Sequence, residues 1–418
     1  MDAAEQATGG DPPARPLGEP WVFVLLVLAL MALGTVMVYS AGQGVPATAS
    51  NYYFTRHLVF IPAALAALAV GAWLPYRRLN RRWIALAVLA LVVAMLVLVL
   101  VPGIGEVRNS ARRWFVVPAG PIQISIQPSE FAKVGLMVFL AWLLARPGSE
   151  PRDFRRTFLP AMGAIGLVCA LIAKEDFGTA ALIGIVGTLV VLIGGCRWWH
   201  VLPVVPMAAL GVWATVLRVP YRLERLTSFL NPWEHMEGAG WHTVQSLLAI
   251  GRGGLFGVGL GAGIQKYGYL PEDTTDFIFA VLCEEMGILG GILVIGIFGV
   301  FVWRAGRVVR RAPDPFGFLL ASGLLLLIAL QAVMNIGVVT GALPAKGIGL
   351  PFVSYGGSGL VMMSLAAGLL ASVARAVSQG EGAAARASPL VAEDTGPGGP
   401  LVLRRGADGL AMETAGDA

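Results

Sequence analysis

Glu130 and Lys133 stand three residues apart in the string Gln127-Pro-Ser-Glu-Phe-Ala-Lys133, where an apolar run begins. Pro128 suits the first turn of a helix, and the spacing puts carboxylate and ammonium on one face at its mouth. Two roles fit such a pair: chemistry on a polar substrate, or an ion pair that anchors the helix. Asp276 directly precedes Phe277-Ile-Phe-Ala-Val-Leu282, at the edge of another apolar run. Two roles fit here as well. The carboxylate could be a general base or metal ligand, or a cap that accepts from the first helical amides. Glu284 and Glu285 follow about two to three turns deeper, where a charge must face protein or water rather than hydrocarbon.

The third chemistry-bearing string is Leu343-Pro-Ala-Lys-Gly-Ile-Gly-Leu-Pro-Phe-Val-Ser-Tyr-Gly-Gly-Ser358. Its prolines and glycines indicate a fixed non-helical turn. Lys346 and the hydroxyls of Ser354 and Tyr355 either face a polar head group or anchor that turn. Other signals are weak. The glycine-rich stretch from Gly251 to Gly263 lacks G-x-G-x-x-G and follows no parallel strand, which argues against a nucleotide loop. A re-entrant or amphipathic stretch, with glycine permitting close backbone approach, fits better. His235 and His242 lack a third ligand and make a poor metal pair.

A membrane bundle must position these residues. Of 418 residues, 56% are hydrophobic and 13% charged, against about 25% charged in a soluble domain. A water-facing surface cannot be built from that remainder. Cys169, Cys196 and Cys283 lie singly in apolar runs, which excludes a disulfide scaffold. The net charge of +5 implies no nucleic-acid partner, because polytopic proteins collect Arg on one side of the membrane. At roughly 20 apolar residues per crossing, ten spans are predicted. They lie near Trp21–Ala41, His57–Leu74, Trp83–Val101, Phe131–Ala145, Phe158–Ala173, Thr179–Gly195, Val201–Leu217, Phe277–Trp303, Phe316–Ala342 and Phe352–Val377. The first has no basic segment before it and reads as a retained span. The predicted fold class is all-α, a polytopic membrane protein of ten transmembrane helices.

Orientation follows from arginine. With a cytoplasmic amino terminus, the Arg77–Arg82, Arg146–Arg156, Arg197 and Arg304–Arg311 clusters all fall inside, and both termini are cytoplasmic. The long connections 102–130 and 218–276 then face outward, the latter as a large loop between spans seven and eight. The four lysines, Lys133, Lys174, Lys266 and Lys346, all lie at or beside the outer face, where a compact ammonium suits phosphate oxygens. The predicted organisation is a disordered tail at 1–19, a membrane domain at 20–377 and an unstructured Gly/Ala-rich tail at 378–418. No internal repeat marks an inverted-repeat transporter.

Taken together, these strings resemble the SEDS family, the FtsW/RodA/SpoVE proteins of cell-wall synthesis. Asn231-Pro-Trp-Glu234, Q-S-x-x-A-I-G from Gln245, Gln265-Lys266, L-P-E-x-x-T-D-F-I-F-A from Leu270, E-E-x-G from Glu284 and the Leu343–Ser358 string occur in the family's order. Pro220–Phe229, Asn231–Glu234, Gln265-Lys266 and Lys346-Gly347 look more like division-type FtsW members than elongation-type RodA members. The resemblance implies a peptidoglycan glycosyltransferase that polymerises lipid II outside the bacterial cytoplasmic (inner) membrane, at the division septum. It also implies a class B penicillin-binding protein as partner, with other division proteins and membrane lipids around it. By its match, Asp276 takes the place of the family's essential aspartate, with Glu130 and Lys133 as the polar pair beside it. Arg113, Trp114, Gln127, Lys266, Lys346, Ser354 and Glu285 are the candidate substrate contacts. Two departures stand out: Thr274, where many members have His, and Lys174-Glu175-Asp176-Phe-Gly178, where many have Gln-Pro-Asp-Leu-Gly.

The expected chemistry needs little apparatus. A lipid-linked donor with an α-pyrophosphate, giving a β-linked glycan, inverts in a single displacement, unlike the two-step retaining route. One base at the acceptor hydroxyl suffices, with cations for the departing pyrophosphate. Asp276 serves as base directly or by positioning Mg²⁺ or Mn²⁺, and Lys133 is expected to keep Asp276 ionised. No nucleotide is required. The rival readings are a lipid II flippase, with Glu284, Glu285 and Asp276 along a translocation path, and a non-catalytic scaffold.

Overall fold

The computed structural model describes residues 19–43, 47–108, 111–119, 122–213, 218, 224, 227–238, 240–387, 390–391, 401–406 and 409–414. The predicted disordered tail before residue 19 lies outside them, as do parts of the connection after residue 213. Among the described residues, eight helices are long and apolar enough to cross a membrane. They are α1 (Glu19–Gly42), α2 (Ala47–Trp73), α3 (Arg82–Leu100), α4 (Pro128–Ala145), α5 (Leu159–Ala173, continued from a π-turn at Phe154–Phe158), and three later ones described below. Two shorter apolar helices, α6 (Phe177–Ile193) and α7 (Val204–Val212), occupy the sixth and seventh expected places. Local chemistry bounds α6. The Asp176 carboxylate accepts from the Thr179 amide at its start, and Gly194 and Gly195 close it, the latter at φ 92°.

An outer helix, α8 (Trp241–Gly253), precedes the long α9 (Ile278–Arg310). The bundle is completed by α10 (Pro315–Val339) and α11 (Ser358–Ala387). Helix α4 sits at the centre, almost wholly buried against α3, α6 and α10. Tyr76, Arg77, Asp314 and Ser372 meet at one end of the bundle. The Tyr76 hydroxyl and Arg77 Nε donate to Asp314, the latter at 3.0 Å, and the Ser372 hydroxyl accepts from the Tyr76 amide. Asp314 caps the start of α10, whereas the polar strings singled out above gather near its finish. The arginine loops and the chemistry thus occupy opposite ends of the bundle.

The 102–130 connection departs from the all-helical expectation. It folds as an antiparallel sheet of β1 (Glu106–Arg108), β2 (Ala111–Ala119) and β3 (Ile122–Ile126), with Phe115 opposite Ile126 and Val117 opposite Ile124. The β-branched and aromatic residues of β2 and the apolar/polar alternation of β3, Ile-Gln-Ile-Ser-Ile, suit a pleated surface. Beyond residue 377, where no structure is expected from composition, α11 continues to Ala387. Three short strands follow: β4 (Leu390–Val391), β5 (Leu401–Gly406) and β6 (Gly409–Thr414), paired antiparallel in that order.

The glycine-rich stretch after α8 returns to the bundle. Helix α9 is broken at Gly287, whose φ of 71° is open to glycine but strained for other residues. The break frees main-chain groups at membrane depth, and the returning loop satisfies them. Val258 N donates to Glu284 O at 3.0 Å and Gly259 N to Glu285 O at 3.1 Å, while Ile288 N donates to Gly254 O at 2.9 Å. Non-helical backbone is tolerated in a membrane only where protein supplies such partners.

Candidate active site

One large cavity of about 1240 Å³ opens among α2, β2, β3, the starts of α4 and α6, the segment before α9, and the turn before α11. Helix α4 contributes Glu130 and Lys133, both buried. Their side chains form an ion pair at 2.7 Å, and Lys133 Nζ also donates to Gln331 Oε1 of α10 at 2.9 Å. Gln331 in turn donates to Gly349 O at 3.0 Å. Glu130 is thus the carboxylate in direct contact with Lys133. The pair lines the cavity and at the same time holds α4 to α10.

Asp276 lies one residue outside the N-cap of α9: the helix begins at Ile278, and Phe277 is its cap residue. Asn335, one turn beyond Gln331 on α10, donates to Asp276 O at 2.7 Å and to Ile348 O at 2.8 Å. The neighbouring residues are stitched too. Ser354 Oγ donates to Thr275 O at 2.6 Å and accepts from Leu350 N at 2.7 Å, and Tyr355 N donates to Thr274 O at 2.9 Å. The Ser354 hydroxyl thus fastens one cavity wall to another while itself lining the cavity. A Cβ built on Gly347 would stand 3.1 Å from Asp276 Oδ2. Glycine there leaves room for the carboxylate.

Cations surround this wall. Arg113 and Trp114 come from β2, Gln127 from the turn into α4, Lys174 from the end of α5, Lys346 from the last turn and Arg56 from α2; all six line the cavity. Arg113 donates to Glu175 O, stands 4.0 Å from Asp176 Oδ2 and lies over the Trp114 ring. Lys346 Nζ is 4.5 Å from the centre of the Phe177 ring. Burial holds its pKa below the ordinary lysine value, while the Asp176 charge opposes that shift. In the departing string, the Glu175 carboxylate accepts from Arg112 N at 2.8 Å and pins β2 to the α5–α6 junction. Lys174 adds a cation to the cavity lining.

Lys266 and Glu285 are not part of this cavity. Lys266 Nζ is fully buried, 2.8 Å from Glu285 Oε1, and also donates to Ser40 Oγ at 2.9 Å and Gly261 O at 2.8 Å. Glu285 accepts further from Ser40 Oγ and from Gly261 N. Glu284 accepts from Ile264 N at 2.9 Å and Gln265 N at 3.3 Å, with Arg252 Nε at 3.6 Å. With their donors and acceptors engaged inside protein, Lys266 and Glu285 are corrected from substrate contacts to internal partners.

Sequence reasoning missed Gln331, Asn335 and Arg56. The first two carried a signal: amide side chains four residues apart lie on one face of an otherwise apolar helix. Arg56 lies within the expected outer approach to the second span but carried no string to mark it. Among the described residues, no group of three or more His, Cys, Asp or Glu side chains could hold a metal ion. A resident all-protein metal cage does not fit. Mg²⁺ held by one or two carboxylates plus substrate phosphates needs no such cage, and Asp276 on the cavity wall suits that arrangement.

The family model described as cell cycle protein, FtsW/RodA/SpoVE, matches residues 20–379. Stage V sporulation protein E of Bacillus subtilis is 42% identical over 363 residues, covering 85% of this chain and 96% of its own length. The probable peptidoglycan glycosyltransferase FtsW of Coxiella burnetii is 40% identical over 365 residues, with the same two coverages. A chain solved in work on the structural coordination of polymerization and crosslinking by a peptidoglycan synthase complex superposes with a TM-score of 0.68 at 31% identity. That match covers 86% of this chain and 98% of that one. The rod shape determining protein RodA of Thermus thermophilus gives 0.61 at 29% identity, over 85% of this chain and 96% of RodA. On a family match spanning the whole membrane bundle, and on relatives alike over nearly their full length, this chain belongs to the FtsW/RodA/SpoVE family.

Proposed function

We propose that this chain is a peptidoglycan glycosyltransferase that polymerises lipid II at the outer face of the bacterial cytoplasmic membrane during cell division. The observation that carries the reading is Asp276, held at its main chain on the wall of a large cavity that Arg113, Lys174 and Lys346 also line. In this reading the Asp276 carboxylate takes the proton of the acceptor 4-hydroxyl as that oxygen bonds to the donor's anomeric carbon. The bond from that carbon to pyrophosphate breaks in the same displacement, inverting the centre. Arg113 and Lys346 stabilise the charge developing on the departing polyprenyl pyrophosphate. Trp114 and Gln127 line the space for the sugar and peptide portions. Lys133 and Glu130 hold Gln331, and through it Gly349, in place. A divalent cation, Mg²⁺ or Mn²⁺, would be held by Asp276 with phosphate oxygens and would neutralise the leaving group.

The flippase reading needs Glu284 and Glu285 on a translocation path, and both are sealed by main-chain and side-chain donors. A division role, rather than elongation, rests on the strings at Asn231–Glu234, Gln265-Lys266 and Lys346-Gly347. Likeness to a chain of a peptidoglycan synthase complex supports a crosslinking partner, which we take to be a class B penicillin-binding protein at the septum among other division proteins. Asp276→Asn tests the chemistry. The variant is expected to insert and fold normally, yet lose roughly 10²–10⁴ of the rate of polymer formation from lipid II. Wild-type polymer from that variant, at wild-type thermal stability, would refute the assignment.

A further inference from the structure

Lys266 and Glu285 are nineteen residues apart, and their ion pair closes the chain between them into a ring with Asp276 near its midpoint. One half of the ring is the irregular segment from Lys266 to Thr275. The other is the start of α9 down to the break at Gly287. The ring is cross-braced within itself, as Thr275 N and Phe277 N donate to Glu272 O at 3.2 and 3.1 Å, and at its base, where Leu270 N donates to the adjoining Gln265 O at 2.9 Å. It is also fastened outside itself, because Ser40 of α1 donates to Glu285 and accepts from Lys266. Both charged side chains are fully buried, outside the lining of the cavity. They cannot touch a substrate held there, yet they close the base of the loop whose apex carries Asp276.

We infer that Lys266 and Glu285, with Ser40 between them, are positioning residues that set the height and angle of Asp276 over the cavity. This rests on Asp276 acting in the reaction. A buried pair contributes little net stability over apolar replacements, so stability alone gives weak reason for its presence, whereas removing one partner strands the other charge. A ring that fixes its apex gives the pair a purpose, because a misplacement of about 1 Å at the reacting group can cost ~10²-fold in rate.

The test compares Lys266→Met and Glu285→Gln with the double variant carrying both changes, all in the full-length protein. The double variant leaves no stranded charge and keeps the outline of both side chains, so it remains informative where the single variants fold poorly. For the double variant, kcat for lipid II polymerisation is expected to fall about 10²-fold with KM unchanged. Amide hydrogen exchange of residues 267–277 without substrate is expected to quicken at least tenfold, while exchange in α4 stays as in the parent. A raised KM with kcat retained would instead make the pair a substrate contact and overturn the inference, as would parental exchange at 267–277. Because exchange is read without substrate, the clamp is judged independently of chemistry. Quickened exchange alongside a fully active Asp276→Asn variant would leave the ring intact as a structural device and sink the catalytic role of Asp276.

Discussion

Asn335 and Asp276 meet through an amide and a main-chain oxygen, 2.7 Å apart. The same Asn335 amide nitrogen reaches Ile348 O at 2.8 Å. One side chain, at the buried finish of α10, thereby joins the segment that carries the proposed base to the turn that carries Lys346. Gln331, one turn earlier, does the same for Lys133 and Gly349. Helix α10 acts as a ruler laid along the cavity, with two amides fixing four points on its walls.

Asn335→Ala removes a donor from two carbonyls in a buried place. The expected cost is ~1–3 kcal/mol of stability. Turnover should fall further than the folded fraction explains, because the Asp276 segment loses its tie. Thermal unfolding and polymer formation on one preparation check both halves; loss of turnover in step with folded protein would reduce Asn335 to a packing role.

Lys133→Met strands Glu130 beside the cavity. Breaking a buried pair typically costs ~3–5 kcal/mol, so this single variant should be clearly less stable than the parent. Adding Glu130→Gln should return much of that stability without returning activity. If the single variant is as stable as the parent and fully active, the ion pair contributes neither to fold nor to reaction.

Stability should also depend on pH through Asp273. Burial, reinforced by the charge of Glu272, pushes its carboxyl up to about 7, against about 3.9 for an unperturbed Asp. Between those values the folded chain holds a proton that the unfolded chain has released, so Asp273 favours folding at low pH and that contribution is lost as pH rises towards 7. Its upper limit is about 4 kcal/mol at ~1.36 kcal/mol per unit. Asp273→Asn should therefore raise the melting temperature relative to the parent at pH 7.5 and lose that advantage near pH 4. An equal difference at both pH values would refute the assignment.

Sidedness is checked by labelling. In a background lacking the three native cysteines, a cysteine replacing the exposed Glu237 should react with a membrane-impermeant maleimide added from outside. One replacing the exposed Asn80, beside the Arg77–Arg82 cluster, should be spared. The reverse pattern would invert the bundle and put the cavity on the wrong side for a lipid-linked donor outside the cell.

Glu130, Lys133 and Asp276 could be found in the sequence because a charge at the edge of an apolar run is expensive and needs a reason. The polytopic helical plan was legible for the same cause, since hydrocarbon thickness sets the length of each run. Gln331 and Asn335 were harder to find: an uncharged amide barely interrupts an apolar run. The hairpin of β2 and β3 was lost because two short strands between long helices carry little weight beside them. Lys266 and Glu285 were noticed but given the wrong role. Nothing in local spacing says that residues nineteen apart, on either side of an irregular segment, will meet each other and a serine from the first helix. Contacts of that kind belong to the tertiary fold.

The buried carboxylates of α9 also bear on how the chain is made. The partners of Glu284 and Glu285 described above, namely Ser40, Arg252, Gly261, Ile264, Gln265 and Lys266, all precede them in the sequence. Synthesis runs from the amino terminus, so all these groups have left the ribosome before the two acids do. A carboxylate entering the bilayer core alone is costly, by ~2.5–3.5 kcal/mol on insertion scales. Here the acidic pair arrives last, at a receptor already synthesised. The order of the chain thus lowers the barrier to inserting a long helix that carries two buried acids, and a circular permutation that placed α9 first would be expected to stall at the translocon.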